Sequence, residues 1–226
     1  MTTMHQFSSR QEAAQTLAEN VAEWLREGVT ARGKASLVVS GGSTPKPFFE
    51  VLGNMDLPWE SIYVTLADER WVPNTSEDSN EKLVRSHMKG LKHFVPLKNA
   101  AAIPAAGEKE AEAAIKPLLP FDVVILGMGE DGHTASLFPN HPGLEEGLKP
   151  GSDRMCLGVE DSPKPPPSRL TLTYAALINC QHLVIHISGN DKIQVLEKAQ
   201  QASVNTMPIA AFLKQNQVPA KIYWAE

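Results

Sequence analysis

Four short apolar runs, each closely followed by glycine or polar residues, most constrain what this chain can fold into. They occupy residues 37–39, 62–66, 123–126 and 182–187. Runs of this length that are rich in β-branched residues are typical of strands buried on both faces. Because amphipathic helical patterns separate the runs, the sequence predicts an α/β fold in a single domain over residues 1–226. We expect a mostly parallel, doubly wound, Rossmann-like sheet with helices on both faces.

Capping boxes indicate where helices begin. In such a box, a side chain that caps the helix N-terminus is followed three residues later by a glutamate. Such boxes at Ser9 and at Asp78 predict two helix starts. Another amphipathic helix is expected over residues 108–119, and Asn190 or Asp191 is expected to cap a later one. The remaining short strands are expected over residues 155–159 and 221–224.

Composition and charge narrow the class of partner. The chain is 42% hydrophobic and carries a formal net charge of −5. A mildly acidic protein without a Lys/Arg cluster is a poor candidate for nucleic acid or an anionic membrane, so we expect neither partner. No apolar run approaches the roughly 20 residues that span a bilayer, and the first residues lack the apolar core of a signal peptide. Cys156 and Cys180 lie in apolar segments without zinc-site spacing, which favours buried thiols in a reducing, cytoplasmic setting.

A carboxylate and an imidazole follow the apolar run at residues 123–126. Asp131 and His133 lie among glycines that let the chain turn sharply and approach a ligand. The carboxyl end of a buried strand is where α/β proteins usually place their chemistry, so both are candidate catalytic residues. The alternative is a glycine-rich surface turn with a solvated histidine.

The same glycines match the dinucleotide fingerprint G-x-G-x-x-G, but their context argues against a nucleotide. The match lies past the middle of the chain, and a helix over residues 134–138 is expected to be stopped early by Pro139. Glu145 and Glu146 lie at a suitable distance for a ribose carboxylate, yet no strand pattern leads to them.

A second glycine turn, SGGSTP at residues 40–45, follows the first buried run. Free backbone N–H groups and a helix dipole at such a turn favour an anion, and phosphate is the usual occupant. Gly41, Gly42, Ser43 and Thr44 are therefore candidate binding residues, although the Gly-Lys-Ser/Thr end of a P-loop is missing. The alternative is an ordinary turn in which Thr44 caps the next helix.

Three charged residues, Asp68, Glu69 and Arg70, come directly after the run at residues 62–66. The two carboxylates are candidate acid/base groups, and Arg70 is suited to clamp a phosphate or carboxylate. A surface salt-bridge cluster is the alternative. We favour the functional interpretation, because the strand end should lie at the ligand-binding edge of the sheet.

Residues 162–169, here called the proline-rich arm, carry Lys164 and Arg169 near their two ends. Repeated prolines favour a stiff, extended segment that holds its basic residues at a low entropy cost, which suits anion capture. A rigid spacer is the alternative. Lys192 follows a further glycine turn and lies either at the site or on the surface, and His141 lies close in sequence to His133.

Taken in order, four stretches resemble one family. SGGSTP, ADERWVP with DSN downstream, GMGEDGHTASLFP and PPSRLTLT are similar to the 6-phosphogluconolactonase family, which belongs with the glucosamine-6-phosphate deaminases. The resemblance runs from about residue 36 to the last residues, and its most specific parts are DGHTASLFP and DERWVP.

The resemblance implies hydrolysis of 6-phospho-D-glucono-1,5-lactone to 6-phosphogluconate in the oxidative pentose phosphate pathway, without a metal or organic cofactor. It also implies that His133 is the general base on water, with Asp131 as its neighbouring carboxylate. The other matched positions are the substrate-contacting turn Gly42, Ser43 and Thr44, and the basic residues Arg70, Lys164 and Arg169 that hold the phosphate or lactone oxygens.

Two other functions stay open from the sequence. The sister deaminases resemble this chain around the Asp-Gly-His element, but they carry a glutamate shortly afterwards in a stretch like FNEP. The corresponding stretch here, LFPNHP, has no carboxylate, which favours hydrolysis. A non-catalytic sugar-phosphate sensor would keep the phosphate turn without needing the base, and His133 is present.

Overall fold

The computed structural model describes residues 2–226, which form two sheets and eight α-helices. The strands are β1 (Thr3–Phe7), β2 (Ala35–Val39), β3 (Ile62–Leu66), β4 (Asp68–Arg70), β5 (His93–Phe94), β6 (Phe121–Leu126), β7 (Cys156–Val159), β8 (Arg169–Leu172), β9 (Cys180–Ser188) and β10 (Ala220–Ala225). The helices are α1 (Arg10–Arg32), α2 (Lys46–Gly53), α3 (Asn80–His87), α4 (Pro104–Ile115), α5 (Leu144–Leu148), α6 (Tyr174–Ile178), α7 (Asn190–Gln201) and α8 (Ile209–Lys214).

The main sheet has seven strands in the order β1-β10-β9-β6-β2-β3-β5, and every neighbouring pair is parallel. The central strands β2 and β6 are buried along their whole length, as their apolar runs predict. The predicted α/β fold class is confirmed. Because β6 lies between β9 and β2, the loops after these three strands meet at one edge of the sheet.

Helices cover both faces of this sheet. On one face, Asn20 of α1 donates a hydrogen bond to the Tyr223 hydroxyl at 2.8 Å, and Trp24 stacks on His182 with ring centroids 4.2 Å apart. The alternate residues of β9, which include Leu183 and Ile185, point to the other face and are fully buried. Both faces are therefore sealed from water, which is the condition for a parallel sheet.

A second, three-stranded antiparallel sheet in the order β4-β8-β7 extends the carboxyl end of β3. Its register places Asp68 opposite Thr171 and Arg70 opposite Arg169. Only β7 was expected as a strand, over residues 155–159; β4 and β8 were not predicted, because their patterns are too short to recognise. The pairing brings two arginines together that lie far apart in the sequence.

Several predicted boundaries are corrected by the structure. The second capping box lies one residue later, since Ser79 and not Asp78 caps α3 by accepting a hydrogen bond from the Lys82 N–H at 3.2 Å. The helix expected over residues 108–119 begins earlier, at Pro104, because proline is well suited to a first helical turn. The start at Ser9 is confirmed.

The structure also excludes one expected cap, one cap that was given as an alternative, and one short helix. Gly189 precedes α7 with φ +100°, so neither Asn190 nor Asp191 is the cap. Thr44 does not cap α2, which follows Pro45 without a side-chain cap. Residues 134–138 form no helix but a tight bridge between Thr134 and Leu137.

Strand β1 was not predicted, because its residues are mostly exposed and show no apolar alternation. It pairs only with β10, at the edge of the main sheet. Among residues 2–226, no helix combines the length and the apolarity that crossing a bilayer requires. Cys156 and Cys180 are buried and free, as predicted.

Candidate active site

A cleft of about 400 Å³ opens where the loops after β2, β6 and β9 meet. The Ser40 hydroxyl links the first two loops, since it donates to the Ile125 carbonyl at 3.1 Å and accepts from the Gly127 N–H at 3.3 Å. Thr44 and Ser188 link the first loop to the third through a hydroxyl contact of 3.2 Å. The cleft is thus framed by hydrogen bonds at the edge that the sequence predicts.

Most of the predicted site residues line this cleft. They are Gly41, Gly42, Ser43, Thr44, Asp68, Arg70, His133 and Arg169, and Lys192 lines it as well. Asp131 and Lys164 are partly exposed and lie outside the lining, and the Lys164 Nζ is 3.9 Å from the Asp131 Oδ2. The structure therefore brings residues from five separate stretches of the chain to one place.

His133 and Asp131 form a side-chain pair at the mouth of the cleft. Asp131 Oδ1 lies 2.5 Å from Nδ1 of the imidazole and 3.2 Å from the backbone N–H of His133, and it accepts from both. This fixes the tautomer in which Nδ1 carries the proton. The other ring nitrogen, Nε2, is left as a free acceptor.

The electrostatics of the pair keep Asp131 ionised. Partial burial raises the pKa of this carboxyl, but the hydrogen bond and charge of His133, with a smaller effect of Lys164, hold the pKa well below its usual range. The carboxylate therefore stays available to orient the imidazole across the range of pH in which enzymes work.

The loop that carries the pair needs glycine at two positions. Gly132 has φ +76°, a conformation that other residues rarely adopt. A methyl group on Gly129 would lie 2.0 Å from Nδ1 of His133 and 2.6 Å from Asp131 Oδ1. The glycines that match a dinucleotide fingerprint thus make room for the Asp131–His133 pair.

The SGGSTP turn presents unpaired backbone donors to the cleft. The N–H groups of Gly41, Gly42, Ser43 and Thr44 donate to no acceptor among the described residues. Gly42 has φ +98°, which turns the backbone toward the cleft. Free N–H groups just before a helix form the anion-binding arrangement that the sequence predicts.

Arg70 keeps donors free for a ligand. Its Nη1 donates to the Asp78 carbonyl at 2.8 Å, whereas its Nε is sealed from water and has no hydrogen-bond partner among residues 2–226. Its Nη2 donates to no acceptor among residues 2–226 and is not sealed from water, so this nitrogen can meet a ligand in the cleft. Arg70 is therefore suited to an oxygen-rich ligand.

Arg169 is more fully engaged. Its guanidinium donates to the carbonyls of the proline-rich arm, from Nε to Pro166 at 3.0 Å and from Nη2 to Pro165 at 3.1 Å. Its Nη1 lies 3.7 Å from Asp68 Oδ2. Burial lowers the pKa of Arg169, and the Asp68 carboxylate opposes that shift. The side chain both lines the cleft and fastens the arm.

The two carboxylates after β3 differ in position. Asp68 lines the cleft and accepts a 2.6 Å hydrogen bond from the Ser136 hydroxyl. Glu69 points away and accepts from the backbone N–H groups of Asn80 and Glu81, each at 2.8 Å. The hypothesis that Glu69 is an acid/base group is wrong, because its oxygens cap the start of α3.

Two further histidines have clear positions. Nδ1 of His141 accepts from the Gly143 N–H at 3.1 Å within a turn outside the cleft lining, so His141 is not a second base. His186 of β9 lines the cleft floor. Within residues 2–226, no three His, Cys, Asp or Glu side chains are placed to share a metal ion.

Several lining residues were given no role from the sequence, among them Asn80, His186 and Ser188. Asn80 supports the turn, since a methyl group on Gly41 would lie 1.9 Å from its Oδ1. Side chains two apart on a strand share a face, so the strand pattern places His186 and Ser188 together. It does not indicate which face meets the cleft.

Comparison with known proteins decides the family. Residues 8–224 match the family described as glucosamine-6-phosphate isomerases/6-phosphogluconolactonase. The chain belongs to this family. The resemblance inferred from the four sequence stretches is confirmed.

Relatives and solved structures agree with the family. The chain is 43% identical over 230 residues to a 6-phosphogluconolactonase of Rhizobium meliloti, with 98% of each chain covered. A solved 6-phosphogluconolactonase from Shewanella baltica superposes with a TM-score of 0.96 at 39% identity, covering 100% of this chain and 98% of that one. A monomeric glucosamine-6-phosphate deaminase, with a TM-score of 0.81 at 17% identity over 100% of this chain and 98% of that one, shares the fold.

Proposed function

We propose that this protein hydrolyses 6-phospho-D-glucono-1,5-lactone to 6-phospho-D-gluconate in the oxidative pentose phosphate pathway. The observation that carries the proposal is the Asp131–His133 pair, which leaves a free imidazole nitrogen at a cleft lined by anion-binding groups. Relatives at 43% and 40% identity are 6-phosphogluconolactonases, which supports the same reaction here.

His133 is the general base in this proposal. Its Nε2 takes a proton from water while the Asp131 carboxylate holds Nδ1–H and stabilises the imidazolium that forms. The water oxygen then bonds to the lactone carbonyl carbon, and the ring C–O bond breaks as the ring oxygen takes the proton back from Nε2 of the His133 imidazolium. A lactone is an activated ester, so no covalent nucleophile is needed.

The two ends of the cleft bind different parts of the substrate. The SGGSTP turn lies along the cleft. At one end Gly41 lies against Asn80, and at the other end Thr44 contacts Ser188. The Thr44 end offers backbone N–H groups, hydroxyls and the Lys192 ammonium, whereas the end with Arg70 and Arg169 also carries the Asp68 carboxylate, so we assign the phosphate to the Thr44 end.

At that end, three kinds of donor serve the phosphate. They are the free N–H groups before α2, the hydroxyls of Ser43 and Thr44, and the ammonium of Lys192 in the first turn of α7. Both helices direct their positive dipole ends toward the cleft. The bound phosphate fixes the distance between the reacting carbon and His133. The binding energy of the phosphate is thus used to position the carbon for the reaction.

At the other end, Arg70 and Arg169 hold the oxygens of the sugar lactone. Arg70 offers its free Nη2, and Arg169 offers a guanidinium beside Asp68. Lys164 acts through its charge on Asp131, 3.9 Å away. Because both guanidiniums are held in place by the protein, they bind these oxygens at a low entropy cost.

We further propose that the substrate is the main partner and that the protein works in the cytoplasm. The two buried free thiols support a reducing compartment. The formal net charge of −5 disfavours nucleic acid and anionic membranes.

The direct test is an assay that follows loss of the phosphorylated lactone above its spontaneous hydrolysis, with glucosamine 6-phosphate assayed in parallel. We expect rapid loss of the lactone and no release of ammonia from the amino sugar. Ammonia release without lactone hydrolysis would instead assign the sister activity. Tight binding of 6-phosphogluconate with neither reaction would identify a sensor.

A further inference from the structure

His186 is a buried histidine that lines the cleft but has no role in the proposed reaction. It lies on β9 with 5% of its surface exposed, two residues before Ser188 on the same face of the strand. Its ring meets Phe48 of α2 edge-on, with centroids 6.4 Å apart. The imidazole therefore forms part of the cleft floor at the end where Ser188 contacts Thr44.

The hydrogen bonding of this ring is incomplete. Nδ1 is sealed from water and has no partner among residues 2–226, and Nε2 makes no hydrogen bond to the described protein either. A buried imidazole that faces no carboxylate stays neutral, and burial lowers the pKa of His186 to about 4. At neutral pH the ring thus carries one N–H and one lone pair.

The surroundings select which nitrogen carries that proton. A buried N–H group that lacks an acceptor costs more free energy than a buried nitrogen lone pair that lacks a donor. Unpaired buried N–H groups are accordingly rare in protein structures. Nδ1 is the sealed atom, so the proton belongs on Nε2. A neutral N–H donor is left for whatever occupies this end of the cleft.

We infer that His186 is a substrate-binding residue whose Nε2–H donates, directly or through one water, to an oxygen of the substrate phosphate. The inference rests on the proposed function, because that function supplies a phosphorylated ligand. A phosphate accepts but does not donate when fully ionised, so every group around it must be a donor. His186 adds a donor below Thr44 without a second charge beside Lys192.

The test uses two variants that differ in where they place an amide. In His186→Gln the amide N–H₂ reaches the position of Nε2, whereas in His186→Asn it reaches only that of Nδ1. We expect His186→Asn to weaken the affinity for 6-phosphogluconate about 10- to 100-fold in calorimetry, as for a lost hydrogen bond to a charged group. His186→Gln should recover most of that loss. The affinity for inorganic phosphate, measured in the same calorimeter, should follow the same order.

Three outcomes would overturn the inference. Equal affinity of both variants and the wild type for 6-phosphogluconate would show that the ring only fills space. Equal losses in both variants would show packing damage without a donor role. Weakened 6-phosphogluconate binding with an unchanged affinity for inorganic phosphate would place the contact on the sugar. These are binding measurements, so an enzyme that fails to hydrolyse the lactone would overturn the proposed function and leave this inference standing.

Discussion

At the residue scale, Arg70 and Arg169, which pair across β4 and β8, have different roles in the cleft. Arg169 is held by carbonyls of the proline-rich arm and by Asp68, so its position is a product of the fold. Arg70 has one hydrogen bond to the Asp78 carbonyl and an unpaired Nε. Removing Arg70 should therefore disturb the ligand more than the protein.

We expect Arg70→Ala to raise the KM for the phosphorylated lactone by about tenfold or more, with a smaller change in kcat. The reason is that Arg70 binds substrate oxygens before the reaction begins. Steady-state kinetics measures both constants. Arg85→Ala is the matched control, because Arg85 pairs with Glu81 on the half-exposed side of α3 outside the cleft lining. An unchanged KM for Arg70→Ala would rule out this role.

At the scale of elements, the loop after β6 can hold the Asp131–His133 pair because Gly129 has no side chain. The methyl group of Gly129→Ala would overlap Nδ1 of His133, so the ring must leave its contact with Asp131. We predict a fall in kcat of about 10²-fold or more while the melting temperature stays within a few degrees.

Gly143→Ala is the control for the Gly129→Ala variant. Gly143 has φ −81°, and a methyl group there would meet its nearest atoms at an ordinary 3.5 Å. Its kcat should equal that of the wild type. A Gly129→Ala enzyme with full activity would show that the contact between Asp131 and His133 is dispensable.

The elements also show how far the sequence alone can be interpreted. The buried runs at β2, β3, β6 and β9 predict the main sheet, because a strand buried on both faces leaves an unbroken apolar pattern. The short strands β4 and β8 leave no such pattern, and their pairing joins residues 68–70 to 169–172. The antiparallel sheet that positions Arg169 was therefore not predictable.

The candidate site shows the same division. Asp131, His133 and the SGGSTP turn stand out locally, because glycine and polar residues follow buried runs. His186 lies inside an apolar run, where a histidine looks like any buried residue. Only the loop geometry at the sheet edge reveals that its face meets the cleft.

At the scale of the whole molecule, the buried His186 and the half-buried His182 make the fold sensitive to acid. Burial lowers the pKa of both His182 and His186 to about 4, and the charge of Lys221 adds to the shift at His182. In the unfolded chain a histidine has a pKa near 6.5. Below that pH these two histidines therefore bind protons in the unfolded chain but stay neutral in the native state. Stability is fully present above pH 6.5 and falls as the pH drops toward 4.

We predict that the free energy of unfolding in urea declines steadily from pH 6.5 to pH 4.5. A fully shifted buried histidine accounts for up to about 3 kcal/mol, and solvent screening reduces this at the half-buried His182. His182→Gln should make the decline shallower, whereas changing the mostly exposed His5 in His5→Gln should not. A flat profile in the wild type would contradict the assigned pKa shifts.

The most direct test of the proposed mechanism is the kcat of His133→Ala beside that of His141→Ala, with 6-phosphogluconate binding measured on both. Loss of the base should lower kcat by about 10²- to 10⁴-fold and leave product affinity nearly unchanged. His141 lies outside the cleft lining, so its variant should match the wild type. Wild-type kcat in His133→Ala would contradict the mechanism.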